Sequence, residues 1–70
     1  MLEDMDYSAA LHVANQLERQ SWARCEGEPK AARICEWLGM VWDAERFLYR
    51  VPADVSILSR VMELRRFCHG

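Results

Sequence analysis

The segment from Pro29 to Val51, PKAARICEWLGMVWDAERFLYRV, carries more apolar surface than a 70-residue chain can easily cover. Set out as a helix, one face holds Ala31, Ile34, Cys35, Leu38, Val41, Trp42, Leu48 and Tyr49. A second strip, roughly opposite, holds Met40, Ala44, Phe47 and Val51, with Trp37 on its shoulder. A helix that is apolar on most sides must be buried on most sides. A chain of this length buries only about 60% of the surface it exposes when unfolded. Read as one long helix, the segment calls for a second chain to cover it.

Composition points the same way. The apolar fraction is 51%, slightly above the roughly 45–50% of ordinary globular domains, whose interiors are mostly deeper. Three cysteines, Cys25, Cys35 and Cys68, form no CxxC pair and are odd in number. They read as buried thiols in a reducing, cytoplasmic setting rather than as a disulfide framework. The chain opens on the acidic stretch MLEDMD, so no secretory signal is expected. Lys30, Arg33, Glu36, Asp43, Glu45, Arg46 and Arg50 interrupt the apolar segment and argue against a membrane span.

Three helices and no strand are expected, because β-branched residues never alternate over a strand length. The first is predicted over about 6–25, with Asp4 or Asp6 as cap and Tyr7, Ala10, Leu11, Ala14 and Leu17 as its apolar face. Gly27 and Pro29 break the chain, and the second helix is predicted over 29–51. Gly39, in its middle, reads as a weak point of about 1 kcal/mol. After a corner at Pro52 and Asp54, the third is predicted over 53–67, with Val55, Leu58, Val61, Met62 and Leu64 inward. The fold class this implies is all-α: one domain, an antiparallel helical hairpin plus a third helix. This small helical bundle is expected to be a homodimer in which the second helices form most of the interface.

Candidate sites follow from the same wheels. Trp42 falls on the main apolar face and reads as core. Trp37 and Trp22 lie off the centres of their faces and, with Met40, Phe47, Tyr49 and Val51, form the expected partner or dimer surface, since aromatic residues dominate binding hot spots. Glu45 falls among Leu38, Val41, Trp42 and Leu48, where either the seam opens locally and the carboxylate reaches water, or the carboxylate is buried and needs a counter-charge such as His12, Arg24 or Arg65. Buried there, it would set register or oligomeric state. Arg60, Arg65 and Arg66 form a basic strip capable of contacting phosphate. Charge is uneven: residues 1–45 carry nine acids against four cations, and residues 46–70 carry five arginines against two acids.

No nucleophile, base and orienting residue stand together, and no paired short-spaced ligands suggest zinc. The chain therefore reads as non-enzymatic, without cofactor or metal. In size and composition it resembles small proteins encoded by phages and other mobile elements, many of which bind and block a larger host protein. The expected function is an interaction module of that kind, an inhibitor or adaptor. The alternative is a small dimeric DNA-binding regulator reading through its third helix, which a net charge of −2 does little to favour.

Overall fold

Asp6 starts the first helix as the sequence leads one to expect. Its side chain accepts a hydrogen bond from the Ala9 N–H at 3.1 Å, satisfying one orphan donor of the first turn. The computed structural model describes residues 4–69. Helix α1 (Tyr7–Leu17) is followed by a short strand β1 (Trp22–Ala23), helix α2 (Ala31–Leu38), strands β2 (Val41–Asp43) and β3 (Leu48–Arg50), and helix α3 (Leu58–His69). The strands form one antiparallel sheet in the order β1-β3-β2. The all-α helical bundle is therefore overturned: the chain combines three helices with a small sheet.

The predicted second helix fails at Gly39. This residue sits at φ +96°, in the left-handed region that glycine adopts without a Cβ clash. The Gly39 N–H donates to the Glu36 carbonyl at 3.1 Å and the Met40 N–H to the Cys35 carbonyl at 3.0 Å. These two bonds make a Schellman motif, and Met40 is buried in the same core as Ile34 and Cys35. What reads on a wheel as a weak mid-helix glycine is the signal that stops the helix. Residues 40–51 then turn back as a hairpin. Trp42 pairs with Tyr49 and Asp43 with Leu48.

The first helix also stops early, at Leu17 rather than near residue 25. No glycine or proline ends it. Residues 22–23 are drawn out by pairing with the distant β3, Trp22 opposite Arg50 and Ala23 opposite Tyr49. The Val51 N–H donates to the Ser21 carbonyl at 3.0 Å and extends that ladder. Gln16 holds the other side of the strand's end. Its Nε2 donates to the Arg24 carbonyl at 2.9 Å, and its Oε1 accepts from the Arg24 N–H at 2.9 Å. A side-chain amide thus pairs with a peptide group as a neighbouring strand would. His12 Nε2 lies 2.9 Å from the same carbonyl.

Helix α1 packs against both α2 and α3. Its buried residues are Ala9, Ala10, Val13 and Ala14, small enough to let both neighbours approach closely. The core continues through Ala23, Ala31, Ile34, Cys35, Leu38, Met40, Tyr49, Ile57, Leu64 and Cys68. Alanine fills much of this interior, while several of the largest apolar side chains lie outside it.

Helix α3 begins at Leu58, later than the predicted 53, and its inward face is only partly the predicted one: Val61 and Leu64 turn inward as expected, whereas Val55, Leu58 and Met62 do not. Ile57, Val61, Leu64 and Cys68 point toward the core, whereas Val55, Leu58 and Met62 are exposed. Both sets have helical spacing, so periodicity alone does not choose between them. No helix among the described residues is long and apolar enough to cross a membrane.

Candidate functional site

The β2–β3 hairpin is built around one side chain. Asp43 Oδ1 accepts from the Glu45 N–H at 3.1 Å and the Arg46 N–H at 3.2 Å, an Asx turn that folds the loop back on itself. The chain then reaches Phe47 at φ +56°, a left-handed conformation uncommon for a bulky aromatic. Glu45, predicted to sit in the dry centre of an apolar seam, lies in this exposed loop. It has no buried counter-charge because there is no seam. The register role belongs instead to Asp43, which closes the hairpin opposite Leu48. The stretch Asp43-Ala44-Glu45-Arg46 carries that signal in the sequence, because aspartate is a favoured first residue of a turn.

The hairpin displays a graded aromatic row. Phe47 is 70% exposed and meets the edge of Trp42, 47% exposed, at a centroid distance of 6.1 Å and an interplanar angle of 82°. Trp42 in turn lies 5.1 Å from Tyr49, which is buried. The Tyr49 hydroxyl donates to Glu36 Oε2 at 3.2 Å, tying the row to α2. Burial, then the Glu36 carboxylate, push the Tyr49 phenol above its ordinary value, so it remains a neutral donor. The row runs from a solvent-facing tip to a core-anchored base. Such an arrangement holds an exposed aromatic in a defined place.

The predicted surface residues divide accordingly. Phe47 is exposed, whereas Met40 and Tyr49 are buried and support the hairpin rather than forming an outer face. Trp42, expected in the core, is half exposed. Val51 is half-buried beside the base of α3. Trp37 is half-buried and covered by Arg60, whose guanidinium carbon lies 5.4 Å from the ring centroid and whose Nη1 donates to the Trp37 carbonyl. Trp22, half-buried on β1, is stacked by Arg24 at 5.2 Å. The basic strip is thereby split, with Arg60 engaged at Trp37 and Arg65 and Arg66 exposed further along α3.

A second apolar area lies at the start of α3. Val55 is 55% exposed, Leu58 61% and Met62 47%. Beside them, Leu17, Val51, Ile57 and Val61 line a shallow groove of about 350 Å³. Sequence reasoning placed Val55, Leu58 and Met62 inside. The competing spacing Ile57, Val61, Leu64 and Cys68 was the signal against it.

The thiols offer little chemistry. All three cysteines are free. Burial first, and the neighbouring Cys25 thiol second, push Cys35 up to about 12, so it is protonated at neutral pH. Among the described residues no three His, Cys, Asp or Glu side chains converge in a way that could hold a metal ion. A cleft of about 300 Å³ between the starts of α1 and α2 is lined by Asp6, Lys30, Arg33, Ile34 and Trp37. The Lys30–Asp6 ion pair spans it at 3.3 Å. Compared with known protein families, curated proteins and solved structures, the chain matches none.

Proposed function

We propose that this protein is a small non-enzymatic interaction module whose β2–β3 hairpin docks on a larger protein and occludes part of its surface. One observation carries the reading: Phe47, a bulky aromatic, is held outward in a left-handed backbone conformation and is 70% exposed. That conformation costs roughly 1–2 kcal/mol for a residue with a Cβ. Glycine or asparagine would avoid much of the cost, and the ring adds little burial within the chain. Strain of this kind is characteristic of sites retained for contact rather than for stability.

Trp42 stands beside Phe47, and Glu45 and Arg46, which precede Phe47 in the same turn, add exposed charge. An aromatic centre within a charged rim is the usual composition of a hot spot. The free cysteines support a reducing, cytoplasmic setting. The DNA-binding alternative has less support. The outward side of α3 presents Leu58 and Met62 where a recognition helix needs polar contacts, and Arg60 is engaged with Trp37.

The test is affinity capture with wild-type protein and with Phe47→Gly and Trp42→Ser variants, each checked for a native circular-dichroism spectrum. A protein retained by wild type and lost from both variants supports the reading. Retention by both variants overturns it. So does salt-sensitive binding to duplex DNA that disappears in an Arg65→Ala/Arg66→Ala variant.

A further inference from the structure

The charges around the cleft between the starts of α1 and α2 are sorted by wall. Asp4 and Asp6 come from the segment that leads into α1, and Lys30 and Arg33 from the start of α2. Met5, Ile34 and Trp37 supply the apolar lining. We propose that this cleft binds a free α-amino acid with an apolar side chain. Its carboxylate would meet Arg33, its ammonium Asp4, and its side chain Ile34 and Trp37.

Two of the four charges already satisfy each other. Lys30 Nζ lies 3.3 Å from Asp6 Oδ2, and Asp6 Oδ1 accepts from the Ala9 N–H. That contact shows that the two walls come within ion-pair distance in the cleft. Asp4 and Arg33 are exposed, and neither is in an ion pair with another described residue. One acid on the α1 wall and one base on the α2 wall are thus left to a ligand. A ligand with a single charge would satisfy one wall and meet its own sign on the other, whereas a zwitterion answers both. In an α-amino acid one carbon separates the ammonium from the carboxylate, which suits walls close enough to form an ion pair. The planar guanidinium of Arg33 can take the carboxylate through two parallel N–H···O bonds.

The apolar lining is firmly held. Ile34 is buried, and Met5 packs against the core. Arg60 does not line the cleft, yet its guanidinium carbon lies 5.4 Å from the Trp37 ring centroid, so the indole is braced from outside the cleft. A volume of about 300 Å³ is at the foot of the range of small-molecule sites, room for a single amino acid rather than a peptide. The inference does not rest on the hairpin reading, because no lining residue belongs to β2 or β3.

The experiment is an NMR titration of the intact chain with L-phenylalanine, read at the three tryptophan indole N–H signals. The Trp37 signal should shift and saturate with a dissociation constant of about 0.1–1 mM, in keeping with a small ligand in an open cleft. Trp22 and Trp42 lie outside the cleft and should not move. Hydrocinnamate, which lacks the ammonium, and phenethylamine, which lacks the carboxylate, should each bind at least about tenfold more weakly. Arg33→Gln and Asp4→Asn should each weaken L-phenylalanine by a similar factor, and because both positions are exposed their circular-dichroism spectra should stay native. No shift of Trp37 up to about 10 mM overturns the proposal, since a site that weak discriminates nothing. Hydrocinnamate or phenethylamine binding as tightly as L-phenylalanine overturns it too, by showing a site for one charge only. So does unchanged binding in either variant. Phe47→Gly should bind L-phenylalanine as the wild type does, so this result and the fate of the hairpin reading are separate.

Discussion

Replacing Phe47 by glycine and, separately, by alanine should reverse the usual order of stability. At an ordinary position glycine is less stable than alanine by about 0.5–1 kcal/mol, because it loses more backbone freedom on folding. Phe47 sits at φ +56°. Both substitutions remove the same ring and the same edge contact with Trp42, a loss of about 0.5–1.5 kcal/mol beyond its buried area. That area is modest, since the residue is 70% exposed. Alanine keeps the left-handed penalty of roughly 1–2 kcal/mol, and glycine releases it. After subtracting the entropic cost of glycine, Phe47→Gly should exceed Phe47→Ala by about 0.5–1 kcal/mol. For a domain of this size that is about 2–8 °C in melting temperature. Paired thermal and urea melts followed by circular dichroism measure it, and comparable m-values would show that the denatured states are alike. If alanine equals or exceeds glycine, Phe47 is not strained, and the argument that its placement reflects docking loses its foundation.

Four further outcomes follow from the same structure. Leu64→Ala should destabilise by about 2–5 kcal/mol, because Leu64 is fully buried. Met62→Ala should cost under about 1 kcal/mol; equal effects would mean that α3 is rotated. Gln16→Ala removes both bonds to the Arg24 peptide and should cost about 1–2 kcal/mol, with faster amide exchange at Arg24. The Ala9 N–H first, and Lys30 second, hold the Asp6 carboxyl below its usual value. Its folded value is the lower one, so its stabilisation is complete above the unfolded value near pH 4. That stabilisation disappears as pH falls through the folded value. A stability-versus-pH titration of Asp6→Asn should accordingly show a shallower acid limb than wild type. With Cys35 pushed up to about 12, its thiol should resist a disulfide reagent at pH 8 in the folded protein and react once denaturant is added. Rapid labelling of Cys35 in the native state would contradict its burial.

The hairpin shows why part of the fold escapes a reading by periodicity. Strands of two or three residues are too short to display alternation, and on a wheel their apolar residues fall into an apparent stripe. The deciding signals were local and present. Gly39 followed by the apolar Met40 is a helix stop, and Asp43 at the head of a polar run is a turn. Neither stands out while apolar periodicity is the primary measure. On a helical wheel Glu45 falls in the apolar seam; with the helix ending at Leu38, the same residue lies in an exposed loop.

By itself the sequence determined the features that act over a few residues: the Asp6 cap, the break between Cys25 and Pro29, the end of regular structure near Pro52 and a third helix beyond it. It also determined that apolar surface exceeds what one small core holds. The tertiary structure decided the rest. Ala23 is extended because it pairs with Tyr49, a partner far along the chain. Of the two equally periodic stripes near α3, the one containing Ile57, Val61, Leu64 and Cys68 was buried because those residues meet the core shared with α1. The reason is physical: capping and turn chemistry are satisfied by near neighbours, whereas strand pairing and the choice of a buried face depend on groups brought together only by the completed fold.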